Sequence, residues 1–206
     1  MNTFCGLLIH CNGGDYMAIR VFIDQGHNPG NINPGAEGNG LTEQEVTYKV
    51  GIYLADILRK DPRFEVRVSR KTPSAVVGTS TASSLTQRVY MANSWPANYF
   101  ISIHCNAFSN PSANGTEALV YAQYTQGYWL GEHILKSIVS RMGTQNRGVR
   151  IRPDIYVLRK TKMPAVLIEL AFITNESDAA LLRDNPYGFA YAIYEGMLGY
   201  FDFQPI

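Results

Sequence analysis

Ile19-Arg20-Val21-Phe22-Ile23-Asp24 is a short β-branched and apolar run ended by Gly26, with His27 just beyond. It reads as a buried strand, because such side chains suit a sheet covered on its faces. Residues 26–41 follow, rich in Gly, Asn and Pro, and read as one long irregular loop. Loops of that length in compact domains commonly carry function. Thr42 and Glu45 then have the spacing of a capping box, which sets a helix start. Val46, Val50, Leu54, Ile57 and Leu58 recur at helical intervals until Asp61-Pro62 ends the run.

The same alternation continues down the chain. Residues 64–68 read as a second strand, 71–84 as a Ser/Thr-rich loop and 85–95 as a helix. Residues 99–103 form an apolar strand running into His104, and 116–121 a strand after the Asn114-Gly115 turn. Residues 126–142 read as a helix with Trp129, Ile134 and Ile138 among its apolar positions. Residues 165–168 are a buried strand, and helices near 176–183 and 187–201 are split by Asn185-Pro186. Strands alternating with helices imply a single α/β domain of three layers, over 19–206, with no repeat or linker.

Composition narrows the function classes. A formal net charge of +1 without any Lys/Arg block argues against a nucleic-acid partner. No apolar run approaches the roughly eighteen residues of a membrane span. Three cysteines at irregular spacing are no disulfide framework, and Cys5, His10 and Cys11 lack a fourth metal ligand. The opening residues lack the basic start of a signal peptide. Residues 1–18 are an N-terminal extension. Asn12-Gly13-Gly14 can be encoded by a purine-rich ribosome-binding sequence just before the ATG of Met17, so residues 1–16 are expected to be translated leader. A native protein whose mass begins at Met1 would dispose of that expectation.

The chemistry gathers at strand ends, where open α/β sheets bind ligands. His27 follows the first strand, His104 follows the third, and Glu169 lies inside the apolar run from Val166 to Phe172. Either histidine alone is more often a hydrogen-bonded loop residue than a ligand; two at matching strand ends suggest zinc, for which imidazole is a common ligand. Glu43 precedes Val46, Val50 and Leu54 by three, seven and eleven residues, so it points inward at the helix tip, whereas Glu45 shares its face with Lys49 and Asp56. An inward carboxylate is costly unless paired or bound to metal, so Glu43 is the candidate third ligand. An acid stabilised by the helix dipole is the alternative. Two histidines and one glutamate leave a coordination position for water, as in catalytic zinc sites. Cys105 points to the other face by strand period. Glu169 either pairs with an arginine, Arg88 or Arg159, or moves protons with a pKa raised by burial.

These residues carry a family pattern. Ile23-Asp24-Gln25-Gly26-His27, Pro34-Gly35-Ala36 and Gly40-Leu41-Thr42-Glu43 resemble the first metal-binding half of the zinc-dependent N-acetylmuramoyl-L-alanine amidases of the family-3 type. Arg88-Val89-Tyr90-Met91-Ala92-Asn93 and Ser102-Ile103-His104-Cys105-Asn106-Ala107 resemble the second half. Pro164-Ala165-Val166-Leu167-Ile168-Glu169, with Phe172 and Asn175, resembles the segment bearing the catalytic glutamate. The motifs run in order from about residue 19 to 200. Gln25, Cys105 and Ala171 stand where the family more often has Pro, Ala and Gly; no candidate ligand is lost.

The resemblance implies a mixed, mostly parallel sheet with helices on both faces, one zinc ion, and peptidoglycan as substrate. The bond cut would be the amide between N-acetylmuramic acid and the L-alanine of the stem peptide, with Glu169 as general acid and base. Asn106 and Arg88 are expected to contact substrate or support the ligands. The place of action would be the bacterial cell wall, as autolysin, spore enzyme or phage lysin. Two rival readings are a catalytically silent wall-binding or regulatory protein on the same fold and a zinc peptidase acting on free peptides.

Overall fold

The computed structural model describes residues 17–206. The leader expectation and the Cys5, His10, Cys11 group lie outside the described residues. Six strands form the main sheet, in the order β4 (Phe64–Val68), β1 (Ile19–Gln25), β5 (Tyr99–Asn106), β8 (Ala165–Phe172), β6 (Thr116–Val120), β7 (Asn146–Ile151). The first four in that order are mutually parallel. β6 runs antiparallel to β8, and β7 runs parallel to β6.

Strand alternation builds the two flanking layers. Val21, Ile23, Ile101, Ile103, Val166 and Ile168 face α1 (Glu43–Arg59), α3 (Gln126–Met142) and α6 (Pro186–Phe201) in the larger core. Phe22, Phe100, Leu119 and Leu167 face α2 (Thr81–Ser94) and α4 (Tyr156–Lys160). Phe22 and Phe100 stack there with ring centroids 5.8 Å apart. α5 (Glu176–Asp184) packs beside β8 through Leu182. The expected single three-layer α/β domain with a mixed sheet is therefore observed. Among the described residues, no helix is long and apolar enough to cross a membrane.

Several local expectations are corrected. The loop 26–41 is not wholly irregular: β2 (Glu37–Gly38) pairs with β3 (Leu41–Thr42) as a small hairpin. That hairpin supersedes the expected capping box. Thr42 makes no side-chain cap bond, and the Glu43 N–H donates to the Ala36 carbonyl at 2.9 Å. A capping box does form at Ser80 and Ser83, so α2 starts at Thr81, earlier than the expected residue 85. β5 continues through His104 to Asn106, with a bulge between the two, so His104 lies within the strand. α3 has its expected bounds, but Trp129 is 38% exposed. β7 and α4 had no reading in the sequence. β7 is a half-exposed edge strand carrying two arginines, and α4 has only five residues, so neither shows a clear hydrophobic period.

Candidate metal centre

His27, Glu43 and His104 meet at the carboxyl ends of β1 and β5. One ligand atom from each lies within 4.8 Å of the others. Glu43 Oε1 sits between the imidazoles, 3.2 Å from His27 Nε2 and 3.0 Å from His104 Nδ1. The two rings cross edge to face with centroids 4.8 Å apart.

Each side chain is held by its local backbone. Glu43 is the first residue of α1 and is buried, while Glu45 is exposed, so the helical face separated them as expected. Its Oε1 accepts the Cys105 N–H at 2.9 Å and its Oε2 the Ala36 N–H at 2.8 Å. Burial opposes its ionisation, but hydrogen bonds with His104 and His27, and their charges, hold the carboxyl well below the usual carboxylate range. Burial likewise opposes charge on His27; the hydrogen bond and charge of Glu43, with Asn33, outweigh it and raise the imidazole above its ordinary value.

His27 has φ of 66°, a left-handed backbone that is uncommon for a residue with a Cβ and costs on the order of 1 kcal/mol. Its Nδ1 lies 3.2 Å from the Asn33 carbonyl and 3.1 Å from Asn33 Oδ1. Nδ1 therefore has acceptors for its proton, and Nε2 is the ring nitrogen turned to the site, whose lone pair a metal would take in place of the Glu43 hydrogen bond. Two glycines make room. A Cβ on Gly26 would fall 2.6 Å from His104 Nε2, and one on Gly35, at φ +83°, would fall 2.7 Å from both Glu43 Oε2 and His27 Cγ.

Arg88 lies behind this loop. It is 1% exposed, pairs with Asp24 at 2.6 Å, and donates to the His27 carbonyl at 2.6 Å. Burial disfavours the Asp24 charge, but Arg88 and the Ser102 hydroxyl hold its pKa below the ordinary value. Arg88 thus supports the ligand loop and is not the partner of Glu169. Arg159 bonds instead to the carbonyls of Pro153 and Asp154. Glu169 has no arginine in salt-bridge contact among the described residues.

Glu169 is the register partner of His104 across β5 and β8, one strand spacing away, about 4.8 Å. It is half-buried, and its Oε2 is shielded without a hydrogen-bond partner among the described residues. Burial first, then the charges of Glu43 and Glu117, push its pKa well above the carboxylate range, against the pull of Arg152. A buried carboxyl oxygen left unpaired beside three convergent donors is an arrangement suited to proton transfer, not to structural stability.

Glu117 was missed by the sequence reading. It faces Glu169 directly on β6 and accepts from Asn106 Nδ2 at 2.7 Å. The signal was available: a lone acid inside Thr116-Glu117-Ala118-Leu119-Val120 is the same anomaly as Glu169 within its own strand. Asn106 is therefore tied to Glu117, at the edge of the site.

The donor set fits zinc. Two imidazole nitrogens and one carboxylate oxygen converge, glycines keep the approach clear, and no fourth protein ligand joins them among the described residues.

Residues 21–198 match the protein family described as N-acetylmuramoyl-L-alanine amidase. Over 185 residues the chain is 37% identical to N-acetylmuramoyl-L-alanine amidase LytC of Bacillus subtilis (strain 168), covering 88% of this chain and 35% of that protein. The chain thus spans about a third of that relative's length. The crystal structure of an N-acetylmuramoyl-L-alanine amidase from Clostridium difficile 630 superposes with a TM-score of 0.79 at 32% identity, covering 91% of this chain and 99% of that one. The CwlD amidase of Clostridioides difficile, solved in complex with the GerS lipoprotein, gives 0.82 at 26% identity, covering 89% and 98%.

Proposed function

This chain belongs to the N-acetylmuramoyl-L-alanine amidase family, and from that premise we propose that it hydrolyses the amide joining N-acetylmuramic acid to the L-alanine of peptidoglycan stem peptides, at the bacterial cell wall. The observation that carries this reading is the convergence of His27, Glu43 and His104 beside the unpaired carboxyl of Glu169.

His27 Nε2, a Glu43 carboxylate oxygen and His104 Nδ1 would hold one zinc ion. When bound, zinc supplies Lewis acidity, polarising an amide carbonyl and easing the deprotonation of water. The protein's own groups do the rest. Asn33 fixes the His27 tautomer, and the N–H groups of Ala36 and Cys105 hold Glu43 in its charged form. Glu169, with its raised pKa, takes the proton of the attacking water and returns it to the amide nitrogen as the C–N bond breaks. An amide nitrogen leaves poorly without that proton. Arg88 and Asp24 keep the His27 loop in its strained shape, and Asn106 steadies Glu117 at the site's edge.

The test is product mass from purified peptidoglycan, with zinc-loaded and chelator-treated protein. The expected result is stem peptides beginning at L-alanine, lost with chelator. Cleavage inside the peptide would favour the peptidase, and no release by zinc-loaded protein the silent binder.

A further inference from the structure

Arg147 and Arg150 project from the edge strand β7 onto the sheet face that carries Glu169. The register sets this face: Arg150 pairs with Leu119, which shares its side of the sheet with Glu117, and Glu117 pairs with Glu169. Both guanidinium groups converge on Glu117 Oε2 without hydrogen-bonding it. Arg147 Nε stands 3.7 Å away and Arg150 Nε 3.9 Å away. Arg147 is seated over the Phe172 ring at 4.9 Å and donates to the Asn114 carbonyl, yet its Nε is buried with no hydrogen-bond partner among the described residues. The Arg150 side chain is 59% exposed and makes no hydrogen bond among the described residues.

Arginines on an edge strand can simply discourage strand pairing by other chains. Solvated edge arginines, however, do not bury an unpartnered Nε or aim in pairs at one carboxylate. Two guanidinium groups against one Glu117 leave a net positive charge and unused planar donors, the geometry that takes a carboxylate side-on. The distance suits a peptide. The two guanidinium groups reach back from β7 to Glu117 on β6, and from β5 to β6 is two strand spacings, about 10 Å, which an extended chain covers in about three residues.

We propose that Arg147 and Arg150 form a subsite for a free carboxylate on the peptide side of the substrate, about three residues from the bond that is cut. This rests on the amidase reading, because it assumes that a peptide runs from the metal-binding side chains across Glu169 and Glu117. The subsite would make the enzyme favour acidic over capped or amidated peptides.

The test compares two compounds: N-acetylmuramoyl-L-alanyl-glycyl-alanine with its terminal carboxylate free, and the same compound capped as the terminal carboxamide. Equilibrium binding is measured by calorimetry on the zinc-free chain of residues 1–206, so that the readout does not depend on turnover. Wild type is expected to prefer the free carboxylate by about tenfold, the scale of a charge-assisted hydrogen bond. Arg150→Gln should bring that ratio close to one, Arg147→Gln should lower it, and Arg150→Glu should invert it. A wild-type ratio near one, no binding of either compound, or a ratio that survives both glutamine substitutions overturns the subsite. Product mass with zinc-loaded wild type is read separately. Failure to cut either compound at the lactyl–alanine bond overturns the amidase reading, whatever the binding ratio.

Discussion

Replacing Glu169 by Gln in the zinc-free protein is expected to stabilise the fold by an amount that grows with pH. The structure gives Glu169 a shielded Oε2 with no partner and two acidic neighbours, Glu43 and Glu117. Its pKa in the folded protein is therefore raised well above the ordinary 4.5. Below about pH 4.5 both folded and unfolded chains hold the proton, and Gln, neutral and nearly isosteric, changes little. Above it the unfolded chain ionises freely while the folded site resists, so wild type loses about 1.4 kcal/mol per pH unit until the raised pKa is passed. The Gln variant has nothing to ionise there and escapes that loss. With a urea slope of about 2 kcal/mol per M, the difference in midpoint should open by about 0.7 M per pH unit. Urea unfolding of both proteins, followed by far-UV circular dichroism with chelator at pH 4, 5 and 6, measures it. A difference that stays constant across this range would refute the reasoning, since it would mean that Glu169 ionises in the folded protein as easily as in water.

Gly35→Ala and Gly30→Ala form a matched pair. Both positions have positive φ, +83° and +77°, so each substitution should cost about 1–2 kcal/mol in backbone strain. Only the Cβ at position 35 strikes Glu43 and His27; at position 30 nothing lies within 4 Å. Zinc affinity by chelator competition should therefore fall at least about tenfold in Gly35→Ala and hold in Gly30→Ala; equal affinities would detach Gly35 from the site. Arg88→Met strips a buried Asp24 of its partner and frees the His27 carbonyl, at an expected cost of about 3–5 kcal/mol in urea unfolding. A loss below about 1 kcal/mol would show that the ion pair does not hold the ligand loop.

Much of the site was readable because its residues interrupt patterns. Glu169 breaks an apolar strand, and Glu43 sits on the inward stripe of a helix otherwise filled by Val46, Val50 and Leu54. Periodicity also located β1, β4, β5, β6, β8 and the longer helices, since each has one face in the core. What escaped lacks that signature. β7 lies at an edge where Arg147 is only partly covered and Arg150 is exposed, and α4 is too short for a period to emerge. The cap of α1 was misread because the donor Glu43 N–H is satisfied by Ala36, through a hairpin that local spacing cannot reveal. The αL backbone of His27 was equally invisible, since Arg88 and Asn33, which fix it, are distant or unpatterned in sequence.

The reversal of β6 and β7 divides authorship of the groove. Parallel strands offer the cleft the segments that leave them, so His27, His104 and Glu169 are tied to β1, β5 and β8. β6 and β7 offer the segments that enter them, around residues 107–115 and 143–145, which hold none of the candidate ligands. Grafting a longer or differently charged stretch there would retune which peptides fit while the hydrolytic half stays as built. Under the proposed function, the fold in this way keeps reaction and selectivity on separately editable modules.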